Sequence, residues 1–136
     1  MLERSKQMVV SAALNTAGTV PFNFYFPKAS RIKRYWAVPN AAQAAHATIV
    51  DTVTFTNKGT DGSGSTVLCV LTNDSDLADS TTRESGAWAA NVVKELNTED
   101  ADEIAAGSVV QAALLGAGTA PDANFFTIGI EYVESD

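Results

Sequence analysis

A chain of 136 residues, 46% hydrophobic and 18% charged, has material for one core and can bury about two-thirds of the surface its unfolded form exposes. Its net charge of −7 excludes holding nucleic acid through general phosphate contacts, which need clustered Lys and Arg in excess. No run approaches the roughly 20 apolar residues of a helical membrane span.

The charge is unevenly placed. Arg4, Lys6, Lys28, Arg31, Lys33 and Arg34 all precede residue 35, with Glu3 the one acid among them, so that this part carries +5 and the remainder −12. A molecule so divided suits docking in one orientation on a charged partner or on its own copies. The lone cysteine, Cys69, sits between Val and Leu residues and reads as a small buried hydrophobe. The expected fold needs no disulfide, consistent with a chain made in a reducing cytoplasm. Residues 1–7 form a polar arm with no targeting pattern, ahead of a single domain over 8–136.

In chain order, residues 8–14 suggest a short strand and 15–19 a turn. Phe22, Phe24 and Phe26 alternate with Asn23 and Tyr25, a strand with its phenylalanines toward the core, stopped by Pro27. In the next strand the same alternation puts Ile32, Trp36 and Val38 on the apolar face with Arg34, which is therefore expected at a sheet edge. Lys33, Tyr35 and Ala37 fall on the other face. An Ala-rich loop follows Pro39, and then Ala47, Ile49, Val53 and Phe55 alternate with threonines, which favours a strand over a helix. Residues 57–65 read as a Gly-rich hairpin connection to a strand at 66–72, and 72–86 as a polar loop.

Trp88, Val92 and Leu96 recur at helical spacing, yet their neighbours are short and every other element has period 2. A strand near 90–96 is expected, with a short helix as the alternative. Thr98 followed by acids reads as a helical turn or a loop. A turn at 105–108, a buried strand over 109–115, a loop over 116–122 and a strand over 124–133 close the chain. In the last, Phe126, Ile128, Ile130 and Tyr132 share the core face.

Seven or eight short strands with regular turn signals indicate an all-β antiparallel sandwich, jelly-roll-like, with at most one short helix. The order Pro27-Lys28-Ala29-Ser30-Arg31-Ile32-Lys33, a loop, Thr52-Val53-Thr54-Phe55-Thr56, then Ile104-Ala105-Ala106-Gly107-Ser108-Val109-Val110 and a closing Phe126-Thr127-Ile128-Gly129-Ile130 resembles small jelly-roll virion proteins of tailed bacteriophages. The similarity covers about 27–133. It implies a protein that decorates and stabilises a capsid, commonly as a trimer at three-fold positions, or a head-fibre or tail-spike base domain. The missing carbohydrate-specific domain and long fibre favour decoration.

Candidate chemistry is sparse. His46 is the only histidine and has no orienting partner in its loop. Asn73, Asp74, Ser75, Asp76 and Asp79 alternate oxygen ligands but lack the glycine and closing Glu of a calcium loop. Glu99, Asp100, Asp102 and Glu103 crowd one turn, whereas glycosidase carboxylates flank a cleft. Gly116-Ala117-Gly118 leads into no helix that would hold a phosphate. Trp36 and Trp88 sit in apolar runs and are expected in the core.

The expectation is accordingly a non-enzymatic structural virion protein without cofactor or metal, located on the capsid surface. Its partners are the major capsid protein and its own copies, as a homotrimer. The candidate interface residues are Arg4, Lys6, Tyr25, Arg31, Lys33 and Tyr35, a basic strip with exposed tyrosines. The alternative is a non-catalytic carbohydrate-binding or fibre-base module, which exposed aromatics on one sheet face would favour.

Overall fold

The computed structural model describes residues 4–13, 19–117 and 125–135, and for 99–101 the backbone. The strands are β1 (Lys6–Ala13), β2 (Thr19–Phe26), β3 (Ser30–Pro39), β4 (Val50–Gly59), β5 (Thr66–Thr72), β6 (Arg83–Glu84), β7 (Lys94–Ile104), β8 (Ser108–Ala117) and β9 (Phe125–Glu134). They form one sheet in the order β1-β9-β3-β7 and a second in the order β2-β8-β4-β5-β6. Every pairing is antiparallel except the short β5–β6 contact. Successive strands cross from one sheet to the other, and only β4–β5 and β5–β6 stay within one. A four-stranded sheet facing a five-stranded one, wound in this way, is a jelly roll, as expected.

Periodicity explains most of the core. Phe24 and Phe26, Val53 and Phe55, Val110, Ala112 and Leu114, and Phe126, Ile128 and Ile130 all point into the space between the sheets and are buried. Each large apolar side chain taken out of water there contributes about 1.5–3 kcal/mol before entropy is counted. Cys69 is also buried, as expected, and burial pushes its thiol up, with the charges of Asp102 and Glu84 adding to the shift. A thiol held protonated is a poor nucleophile. The turn at 105–108 closes because Gly107 takes φ of 84° and its N–H donates to Phe26 O at 2.7 Å.

Four expectations change. Among the described residues there is no helix, and Thr98, placed in a helical turn or a loop, lies within β7. The strand expected near 90–96 begins only at Lys94, because residues before it make a turn with Asn91 at φ of 59°. Arg34 is not at an edge: β3 is flanked by β9 and β7. Tyr35 is fully buried while Trp36 is only partly so, the reverse of the expected faces.

The last two share a cause. Against β9 the pairing slips between Ile32 and Arg34, so Lys33 is an extra residue there and the alternation changes phase. Ile32, Tyr35 and Ala37 face in, whereas Arg34, Trp36 and Val38 face out. The bulged backbone is held by Thr98, whose hydroxyl donates to the carbonyl of Ile32 and lies 3.3 Å from that of Lys33. The turn expected at 15–19 falls, but for Thr19, outside the described residues, as do the first three residues of the arm and the loop beyond Ala117. Lys6 and Gln7, assigned to the arm, already pair with β9.

Candidate functional site

The outer faces of the two sheets differ in chemistry. On β1-β9-β3-β7, strand register sets Gln7, Glu131, Arg34 and Asn97 in one cross-strand row and Val9, Gly129, Trp36 and Glu95 in the next. The Arg34 guanidinium donates through Nε to Glu131 Oε2 at 2.8 Å and also bonds the Glu95 carboxylate. That arrangement, the Glu131 hydrogen bond first, holds Arg34 above its ordinary range although partial burial works against it. The guanidinium carbon lies 6.0 Å from the centre of the Trp36 ring. The indole lies flat across Gly129, where a Cβ would come within 2.3 Å of the ring. Only glycine leaves room.

Lys6 and Lys28 both reach Glu134, Lys28 at 3.4 Å, and the Lys6 hydrogen bond is the main reason the Glu134 carboxyl is held below its usual range. The basic residues expected to reach outward are thus partly engaged within the chain. Of the candidate interface set, Arg4 and Lys6 are exposed and Arg31 and Lys33 are half-buried on β3. Tyr25 is exposed, as expected, but lies on the other sheet. Tyr35 leaves the set altogether, since it packs 4.8 Å from Phe55 and donates its hydroxyl to Asp102 Oδ2 at 2.8 Å. Burial first, then the Asp102 charge, pushes its phenol far above the ordinary range.

The outer face of β2-β8-β4-β5 has another character. Its rows are Thr19, Leu115 and Thr52, ending at the buried Thr72; Pro21, Ala113, Thr54 and Val70; and Asn23, Gln111, Thr56 and Val67. None of these positions carries a charge. Leu115, Val67 and the adjacent Tyr25 are exposed by 43, 46 and 57%. The polar groups partly satisfy one another, Thr52 Oγ1 to Thr72 Oγ1 at 2.9 Å and Gln111 Nε2 to Asn23 Oδ1 at 3.3 Å. Such a surface shares with an interface core its depletion of charge, and an exposed tyrosine stands at its margin.

The candidate reactive groups have structural roles. His46 is exposed, and its Nδ1 accepts from the N–H groups of Thr48 and Ile49 at 3.0 and 2.9 Å. Asn73, considered as a calcium ligand, is buried, with its side chain accepting from Asp51 N–H and donating to the carbonyls of Ala44 and Ile49. It ties the Ala-rich loop to β4. Asp74 accepts from Asp76 N–H, and Asp79 from Ser85 N–H at 2.7 Å, the latter holding the Asp79 carboxyl below its usual range. Among the described residues no group of His, Cys, Asp or Glu is arranged to hold a metal ion.

Two clefts remain. One, of about 270 Å³, surrounds Lys94, whose ammonium donates to the carbonyls of Ser85, Gly86 and Ala87 and lies 4.9 Å from the Trp88 ring centre. Burial lowers its pKa, but three donors spent on carbonyls leave an anchor for the loop before β7. Trp88 itself is core, as expected, with its Nε1 donating to Asp51 O at 3.1 Å. The other, of about 380 Å³, lies between β5 and β7 and is lined by Leu68, Ser80, Thr82, Thr98 and Asp102 among others.

The Arg34 fork and the Tyr35–Asp102 pair are absent from the sequence reading. An arginine on an apparently apolar face was the available sign of the first; the second needs the bulge. No protein-family model matches the chain, and no curated protein matches it. Solved structures similar to it include a CocE/NonD family hydrolase from Staphylococcus aureus, at 8% identity over 98% of this chain and 33% of that one, with a TM-score of 0.41. Drosophila NLP-core is 12% identical over 96% of this chain and all of that one, with a TM-score of 0.39. A protein of the T13 IBDV viral particle is 12% identical over 96% of this chain, with a TM-score of 0.38. The chain spans about a third of the hydrolase and of the IBDV protein, and viral capsid proteins are thus among the structures it is similar to.

Proposed function

We propose that this jelly roll is a structural protein of a virus particle, binding and stabilising a tailed-phage capsid lattice as a homo-oligomer without catalysis. The partner is the major capsid protein, and three copies is the number implied by the resemblance in the sequence. The observation that carries the reading, through its homo-oligomeric part, is the uncharged outer face of β2-β8-β4-β5, an extended surface suited to lying against another copy of the chain. Mass spectrometry of purified virions, with saturation binding to capsids stripped of the chain, tests it. A fixed copy number per capsid is expected, and absence from purified virions overturns the reading.

Trp36 favours a second reading. Its ring is partly exposed on a sheet face beside Arg34, Glu95 and Glu131, an aromatic platform with hydrogen-bonding neighbours such as a carbohydrate-binding module uses. Saturable quenching of its fluorescence by host-surface glycans, lost in Trp36→Ala, would favour the module.

A further inference from the structure

We infer that the charge-free outer face of β2-β8-β4-β5 is the surface on which two copies of this chain pair, sheet against sheet about a two-fold axis. The inference shares with the reading above that copies of this chain associate, and it sets two copies in place of the three implied by the sequence resemblance. The face is built from short side chains, with Thr54 and Ala113 at its centre, Pro21 at the β2 side and Leu115, Val67 and Tyr25 standing proud of it. Short side chains leave a sheet flat enough for a second sheet to approach to about 10 Å.

Charge identifies the occupant. A charged partner would have to strip water from its ions against a face that offers only hydroxyls and amides in return, and incompletely compensated desolvation is costly. An uncharged partner avoids this, and this same face on another copy is one. Pairing here also answers the net charge of −7. Outward carboxylates such as Glu95 and Glu131 lie on the opposite sheet, so copies joined through β2-β8-β4-β5 keep them apart. Identical twisted sheets match each other in curvature, and a two-fold axis makes one patch serve both sides. The nearest charged positions in register, Arg83 beyond β5 and Lys58 at the β4 bulge, mark a polar rim.

The test is the mass of the full chain in solution from micromolar to submillimolar concentration, for wild type and for charge insertions. Wild type is expected to pass from one chain to two, with little change between low and high salt because no ion pairs are formed. Leu115→Glu and, separately, Val67→Arg place like charges across the axis and should weaken association by roughly a hundredfold or more. Val9→Glu, on the outer face of the opposite sheet, should leave it unchanged. Both face positions are exposed, so an unaltered circular dichroism spectrum and unfolding midpoint are expected, and Val67→Arg stands if Leu115→Glu misfolds. A wild-type chain that remains single, a three-chain species, or association lost in Val9→Glu but kept in the face variants overturns the inference. Capsid saturation separates it from the virion reading: a single-chain Leu115→Glu protein that still fills capsids upholds both pairing face and lattice binding as distinct surfaces. A pairing chain that never enters capsids removes only the lattice.

Discussion

The two outer sheet faces solve the problem of an exposed sheet in opposite ways. On β1-β9-β3-β7 the central positions carry Arg34, Glu131 and Glu95, paired with one another, and an indole laid across a glycine. On β2-β8-β4-β5 the central positions carry threonine, alanine and glutamine, and no ion. A face with its charges matched internally is finished as a solvent surface, whereas one without charge remains open to a partner. Exposed charge also protects edges and faces from unwanted association, so its absence from one face of an acidic protein is informative.

The largest expected effects come from the shared core beneath both faces. Ile128 and Ile130 are fully buried, and Ile→Ala at either should cost about 2–5 kcal/mol, read from urea midpoints. An unchanged midpoint would mean that the β9 register is wrong. Next is the charged face. Gly129→Ala must push the Trp36 indole off β9, costing about 1–3 kcal/mol, with a red shift of tryptophan emission. In a Trp36→Ala background the same change should cost much less, and full additivity would sink the contact.

Tyr35→Phe leaves Asp102 without its donor and should cost about 1–3 kcal/mol near neutrality. Its pH dependence has a definite sign. The phenol is raised above its ordinary value of 10.0 in the fold, so the stability it supplies is complete below pH 10 and falls as pH climbs toward the raised value. Part of the alkaline loss should therefore be missing from Tyr35→Phe. The smallest effect is at the other end: Glu134 and Asp79 are held below their ordinary 4.5 and 3.8, so their contributions are present above those values and fade as pH falls through the depressed ones. Glu134→Gln and Asp79→Asn should flatten the acid limb of a stability profile.

Strand alternation made the all-β class and the inward sets of β2, β4 and β9 legible, because period 2 runs through those core positions; it did not show that 109–115, expected to be a buried strand, presents Leu115 to solvent. It failed at β3, where one extra residue reverses every face after Ile32, and the Thr98 hydroxyl that bonds the bulged backbone is remote in sequence. The same failure put Tyr35 among the interface candidates. It failed again at 88–96, where helical spacing came from Trp88 in a bridge to Gln43 and Leu96 in β7, two separate elements. The uncharged face was written in Thr52, Thr54, Thr56, Ala113 and Leu115, but its extent depends on which strands are neighbours, and that is a property of topology.

Sedimentation equilibrium of the unmodified chain at low and at high salt tests the contrast between the faces most directly. A mass rising with concentration toward two chains, by the same course in both salts, is expected. A mass that stays at one chain, or association that high salt dissolves, would contradict it.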